Sequence, residues 1–279
     1  MYIPDSYLEQ ILAEDVPSID LTTYALGIGG AQGVMEYYSR DEAVLCGTEE
    51  AARIFAKLGC NATWFESSGT HIEPGVTFMR VEGPAAGLHM GWKCCLNIFE
   101  YYSALSTKAR KMVDVVRGVN PRCEVLTTRK RMPGTKPFDT KAIMAGGAFP
   151  HRLGLSETVL VFDHHLEFYG GMDRFIQNLP EIRASLCEKK VFVECGEGDA
   201  VRLAKAGVDG IQLDKVPALR VAELVTELRA INQRLTVIAA GGVNLENAAE
   251  YASTGVDGLA TTCLHFAKPL DMSVRMAKA

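Results

Sequence analysis

The sequence predicts an α/β protein in two parts: an α+β region over residues 1–120, then a barrel or partial barrel of parallel strands over residues 121–264. Three observations carry this reading. From Pro121 onward, short apolar runs near Glu124, Val159, Val191, Gly210, Thr236 and Gly258 alternate with helical segments such as GDAVRLAKAG and VPALRVAELVTELRAI. Strand–helix alternation of this kind gives a parallel sheet with right-handed crossovers. Each apolar run also ends in polar residues: Arg129-Lys130, Asp163-His164, Glu194, Asp214, Gly241-Gly242 and Thr261-Thr262, in that order. Parallel strands are buried on both faces, and their C-terminal ends open where α/β folds place ligands. Third, nothing before Pro121 repeats.

In the first part, Leu8, Ile11 and Leu12 space an amphipathic helix over residues 6–13, with Asp5 or Ser6 as its cap. The polar EDVPSIDLTT that follows holds the chain as it leaves that helix. VMEYYSR and TFMRVE have the aromatic and β-branched content of strands, and TEEAARIFAKLG reads as a helix closed by Gly59. A long helix is predicted from about Leu88 to Val116, with Lys93 and Asn97 four apart on one face. VRGVNPRC breaks it and marks the domain boundary.

Composition narrows the function. With 279 residues, 48% hydrophobic and 23% charged, the chain can bury a sizeable core. Its net charge of −5 argues against a nucleic-acid partner, so any basic site is local. No apolar run approaches the length of a membrane span, and Asp5, Glu9, Glu14 and Asp15 stand where a signal peptide needs a basic start; a cytoplasmic address is expected. The eight cysteines lack any metal-finger spacing and read as reduced, buried small hydrophobes. Cys94-Cys95 is read as packing, because adjacent helix positions point apart.

The chemistry concentrates in residues 125–166. Arg129, Lys130 and Arg131 follow one strand, and His151-Arg152 follow the next helix. A solvated basic loop is the plain alternative for the first cluster. Two basic strand ends, however, converge in a barrel, and converging cations imply an anionic ligand. Glu194 and Asp214 are carboxylates at the ends of successive strands, suited to Mg²⁺ or to ribose hydroxyls. Gly241-Gly242, followed by Asn244 at an expected helix start, lets backbone N–H groups approach a phosphate, with Thr261-Thr262 on the neighbouring strand end.

These motifs resemble the quinolinate phosphoribosyltransferase (nicotinate-nucleotide pyrophosphorylase) family, most closely its ModD branch, which is encoded with molybdate-transport proteins. LAEDVPSIDLTT, LNIFEYYSALST, TTRKRMPGTK, GGAFPHRLGL, VFVE, IQLD, AAGGVNLENAAEYASTGVDG and KPLDMS fall in family order along nearly the whole chain. The resemblance implies an N-terminal α/β sandwich joined to an incomplete, TIM-like α/β barrel, with the tail from about residue 265 packing back on the first domain. It implies a homodimer or a dimer-based oligomer in which one subunit's first domain covers its partner's barrel mouth. It also implies transfer of a 5-phosphoribosyl group from phosphoribosyl pyrophosphate (PRPP) to a ring nitrogen of a carboxylated heteroaromatic acceptor, with Mg²⁺.

By the same match, Arg129, Lys130, His151 and Arg152 would bind acceptor carboxylates or phosphates, and Lys93 would reach into the partner's site. Glu194 and Asp214 would serve ribose and Mg²⁺, and Gly241, Gly242, Thr261 and Thr262 the phosphate. The departures are Phe162 for a family lysine, Lys93 for an arginine, Thr127 for an aspartate, Pro150 for an asparagine and Ala240 for a serine. Phe162 joins the substrate-binding set and suggests an acceptor with fewer carboxylates, or a larger apolar face, than quinolinate. Two other readings stand beside this one: a true quinolinate phosphoribosyltransferase of NAD synthesis, and a non-catalytic sensor of a nucleotide or an oxyanion such as molybdate.

Overall fold

The computed structural model describes residues 1–279 and divides into two compact units. One comprises Met1–Arg110, Arg131–Gly147 and Leu264–Ala279; the other comprises Lys111–Lys130 and Ala148–Cys263. In chain order the first elements are α1 (Asp5–Asp15), α2 (Leu21–Ala25), β1 (Gln32–Ser39), β2 (Ala43–Val44), α3 (Thr48–Lys57), β3 (Asn61–Phe65), β4 (His71–Ile72), β5 (Thr77–Pro84) and α4 (Ala85–Val119). There follow β6 (Glu124–Thr127), α5 (Lys136–Ala145), β7 (Phe149–Pro150), β8 (Val159–Val161), α6 (Asp163–Tyr169), α7 (Met172–Ser185), β9 (Val191–Cys195) and α8 (Glu197–Ala206). The last are β10 (Gly210–Asp214), α9 (Ala218–Ile231), β11 (Thr236–Ala240), α10 (Ala248–Ser253), β12 (Gly258–Thr261) and β13 (Met272–Lys278).

In the first unit an antiparallel sheet runs β13-β1-β5-β3, beside a small β2-β4 pair. Strand β1 alternates in burial, as half-buried strands do, and turns Met35 and Tyr37 inward. Tyr37 and Phe78 each meet the ring of Phe99 on α4 edge-on, with centroids 5.0 and 5.1 Å apart. The buried Tyr37 hydroxyl donates to Trp92 O at 2.9 Å, so its one polar group is satisfied. Helix α5 belongs to this unit, where Phe138 stacks on Tyr102 at 4.7 Å. Helix α1 is capped by Pro4 without a side-chain bond, in place of Asp5 or Ser6. Asp5 is instead drawn to Arg53 and Lys57 on α3.

In the second unit seven parallel strands run β7-β6-β12-β11-β10-β9-β8 and curl into a half-barrel. Leu160, Phe192, Ile238, Ala240 and Ala260 fill its interior. Gly210 is required there: a Cβ would lie 2.1 Å from the Phe192 ring. The mixed α/β class and the barrel are as the sequence predicts. The strand count is higher by one, because Phe149-Pro150, expected as loop, forms β7 on β6. Asp163-His164-His165, expected as a polar loop, opens α6. Helix α10 begins only at Ala248, so Asn244 precedes it as part of a turn. None of the eight cysteines forms a disulfide; six are buried, as expected of small hydrophobes, while Cys263 is half-buried and Cys187 is exposed. No helix is long and apolar enough to cross a membrane.

Candidate active site at the barrel mouth

Strand periodicity decides which side chains enter the barrel. Along β9 and β10 the inward positions are Phe192, then Glu194, and Gly210, then Gln212, then Asp214, with Glu194 and Gln212 in register. On β12 and just beyond it they are Ala260 and Thr262. The lower interior is therefore apolar and the upper interior polar.

The basic side is built on β6, β7 and β8. Thr128 N bonds Thr261 O at 3.0 Å, and the hydroxyls of Thr128 and Thr262 are 2.8 Å apart, which ties the ends of β6 and β12 together. His151 N bonds Thr127 O at 2.9 Å and so extends the β7 pairing to His151. The Arg152 guanidinium carbon lies 5.8 Å from the centroid of Phe162, on the opposite edge of the sheet. Burial pushes Arg152 below the usual range, the Arg129 charge adds to that, and Glu157 only partly offsets it. Two guanidinium groups that repel each other without an ion pair form a ready anion site. His151 is likewise held below its ordinary value, by burial first and then by Arg152, against a raising contact from Gln212.

The acidic side is built on β9 and β10. Glu194 accepts from Gln212 Nε2. Burial raises the Glu194 carboxyl; Gln212 and Lys130 pull it down, and Asp214 and Asp163 push it up. Asp214 Oδ2 lies 3.4 Å from Nζ of Lys215. Lys215 is the one non-glycine residue with positive φ, 56°. No group of three or more His, Cys, Asp or Glu side chains forms a self-sufficient metal site. Two neighbouring carboxylates at successive strand ends fit a hard cation sharing its remaining ligands with water or phosphate oxygens.

The phosphate side follows β11. Gly241 has φ +83°, and a Cβ there would meet Asp214 Oδ1 at 2.5 Å, so the turn packs directly on the acidic side. Gly242, at φ +88°, has open space about it. Its carbonyl is held by Asn244 Nδ2 at 3.3 Å and Asn247 Nδ2 at 3.1 Å. Thr261 faces the other way: its buried hydroxyl donates to Val243 O at 2.6 Å and braces this loop. Lys93 lies exposed on α4 in the first unit. The remaining predicted residues, Arg129, Lys130, His151, Arg152, Phe162, Glu194, Asp214, Gly241, Gly242 and Thr262, all stand at strand ends of the second unit. Sequence reasoning missed Gln212 and Thr128. Alternation with Gly210 and Asp214 was the signal that placed Gln212 inside.

A parallel half-barrel whose mouth sets arginines and a histidine opposite two carboxylates is the architecture of an α/β-barrel protein with a small-molecule site at its strand ends. The family model for the quinolinate phosphoribosyl transferase N-terminal domain matches residues 20–103, and that for its C-terminal domain matches residues 105–275. A Rhodobacter capsulatus protein named as the pyrophosphorylase ModD is 38% identical over 254 residues, covering 91% of this chain and 97% of its own. The human nicotinate-nucleotide pyrophosphorylase (carboxylating) is 30% identical over 267 residues, 95% of this chain and 89% of its own. The crystal structure of NadC from Streptococcus pyogenes shares the fold, with a TM-score of 0.91 at 23% identity over 100% of this chain and 99% of that one. The chain belongs to the quinolinate phosphoribosyltransferase family and is a pentosyltransferase.

Proposed function

We propose that the chain transfers the 5-phosphoribosyl group of PRPP to a ring nitrogen of a carboxylated heteroaromatic acceptor. The ring nitrogen's lone pair forms the new bond to the anomeric carbon as the bond to the pyrophosphate oxygen breaks and its electrons leave with pyrophosphate. The displacement builds positive charge on the sugar and negative charge on the leaving group. What carries the reading is the pairing of Arg129 and Arg152, unpaired by any acid, with Glu194 and Asp214 on the facing strands. Glu194 and Asp214 would hold Mg²⁺, which neutralises the leaving pyrophosphate when bound. Gly242 and Thr262 would receive the 5′-phosphate. Arg129, Lys130, His151 and Arg152 would hold the acceptor's carboxylates, with the Phe162 ring as an apolar wall. The same reading, resting on kinship with ModD-named relatives, gives a homodimer or dimer-based oligomer in the cytoplasm, working beside molybdate transport; Lys93 would serve a partner's site.

Calorimetric titration with PRPP, with and without Mg²⁺, tests it on the wild type and on Glu194→Ala and Asp214→Ala. Mg²⁺-dependent binding that weakens in both variants is expected. Tight binding of molybdate or a nucleotide, with none of PRPP, would replace the enzyme by a sensor. A second reading, quinolinate phosphoribosylation for NAD synthesis, keeps every step and differs only in acceptor; the human relative's name favours it and Phe162 opposes it.

A further inference from the structure

Gln212 is a polar side chain in the middle of a strand, with 6% of its surface exposed. It points into the barrel between Gly210 and Asp214. Its Nε2 donates to Oε2 of Glu194, the residue in register on β9. With the nitrogen end of the amide on Glu194, the oxygen end faces away. That oxygen, Oε1, is sealed from solvent without a well-formed hydrogen bond, and so is Nε2 of His151. The Gln212 carboxamide nevertheless lies near enough to act on the His151 ring as a hydrogen-bonding neighbour.

The Gln212 side chain is a hydrogen-bonding neighbour of the His151 ring, and the buried atom left open on each, a carbonyl oxygen on one and a ring nitrogen on the other, can be satisfied together by a single proton. Of these two atoms the amide oxygen can only accept, so the ring must carry the proton on Nε2. We propose that Gln212 is a positioning residue: anchored on Glu194, it locks His151 in the Nε2–H tautomer and leaves Nδ1 as the ring atom that meets the anionic ligand. The direction of each bond follows from the one before it: carboxylate, amide nitrogen, amide oxygen, ring N–H. An approaching anion can then draw a solvent proton onto Nδ1 while the buried Nε2–H bond persists unchanged. The ligand half of this inference rests on the reading above; the tautomer half does not.

The test is NMR of the full chain labelled with ¹⁵N-histidine, with His151 assigned by its loss in His151→Asn. The wild type should show His151 as the Nε2–H tautomer, with that proton protected from exchange. Gln212→Met keeps the length of the side chain and removes the amide; exchange of the proton should accelerate by at least about tenfold, the loss of one buried hydrogen bond. Glu194→Gln frees the amide to turn over and should also weaken the protection, a check that does not need Gln212 altered. An Nδ1–H tautomer in the wild type, or unchanged protection in both variants, overturns the inference. Absence of phosphoribosyl transfer would instead sink the functional reading and leave the tautomer result standing.

Discussion

The two units fill their interiors in different ways. In the first, the centre of the core is aromatic: Tyr37, Phe55, Phe78 and Phe99 are wholly buried, and the Tyr37 hydroxyl is satisfied by a main-chain oxygen. In the second, the interior is apolar only in its lower half, through Leu160, Phe192 and Ile238. Above that level it turns to Gln212, Glu194 and His151, and two of its polar atoms lack partners. The first unit does carry a buried charge cluster, but a complete one. Lys141 bonds Glu49 at 2.7 Å and also Glu50, while Glu49 accepts from Ser68 N at 2.8 Å and from its hydroxyl. The Lys141 cluster is thus closed upon itself, whereas Gln212 Oε1 and His151 Nε2 at the top of the barrel are left open.

The sharpest way to break this contrast is to open the closed cluster. Lys141→Met leaves Glu50, with 3% of its side chain exposed, without its cation, and should cost about 3–5 kcal/mol in urea unfolding. Opening the barrel's polar half should do the reverse. Glu194→Ala or Asp214→Ala should lower kcat/KM for phosphoribosyl transfer about 100-fold or more while leaving the urea midpoint nearly in place. A variant that lost stability and activity in step would erase the distinction between the two interiors. Within the barrel, Gly210→Ala drives a Cβ against Phe192 and should cost about 1–3 kcal/mol by overpacking. Phe162→Lys should raise kcat/KM for quinolinate relative to a monocarboxylated pyridine by about tenfold, one added ion contact; equal ratios in both proteins would remove Phe162 from acceptor choice.

A further effect is in acid. Burial pushes Glu49 up, but Lys141 and Ser68 outweigh it and bring its carboxyl from 4.5 down to about 2. A carboxyl depressed on folding stabilises fully above its unfolded value and loses that contribution as pH falls from about 4.5 towards 2. Thermal melts across that window should show a loss in the wild type that Glu49→Gln flattens.

Much of this was legible in the sequence, for a physical reason. A buried parallel strand must be apolar, so β8 to β12 announce themselves, and their polar ends mark the mouth without any knowledge of its depth. Strand β7 was hidden because two residues, one a proline, carry no periodicity; its backbone pairing to β6 makes it a strand. Helix α6 was hidden because its first turn, Asp163-His164-His165, reads as loop until His165 Nδ1 accepts from Phe162 N at 3.0 Å. Helix α5 lies in sequence among barrel elements, and only the packing of Phe138 and Lys141 assigns it to the other unit. Gln212 escaped because IQLD reads as one apolar strand unless its alternate residues are sorted by face.

The pairing of β13 with β1 has a consequence for the order in which the molecule is made. The sheet of the first unit runs β13-β1-β5-β3, so β1 is an interior strand only once residues 272–278 have been added. On the ribosome, every strand of the half-barrel is complete before that segment is synthesised. The nascent first unit therefore waits with one edge of β1 bare, a template for stray strands, through the synthesis of nearly two hundred residues. The unit that begins the chain is the last to be finished.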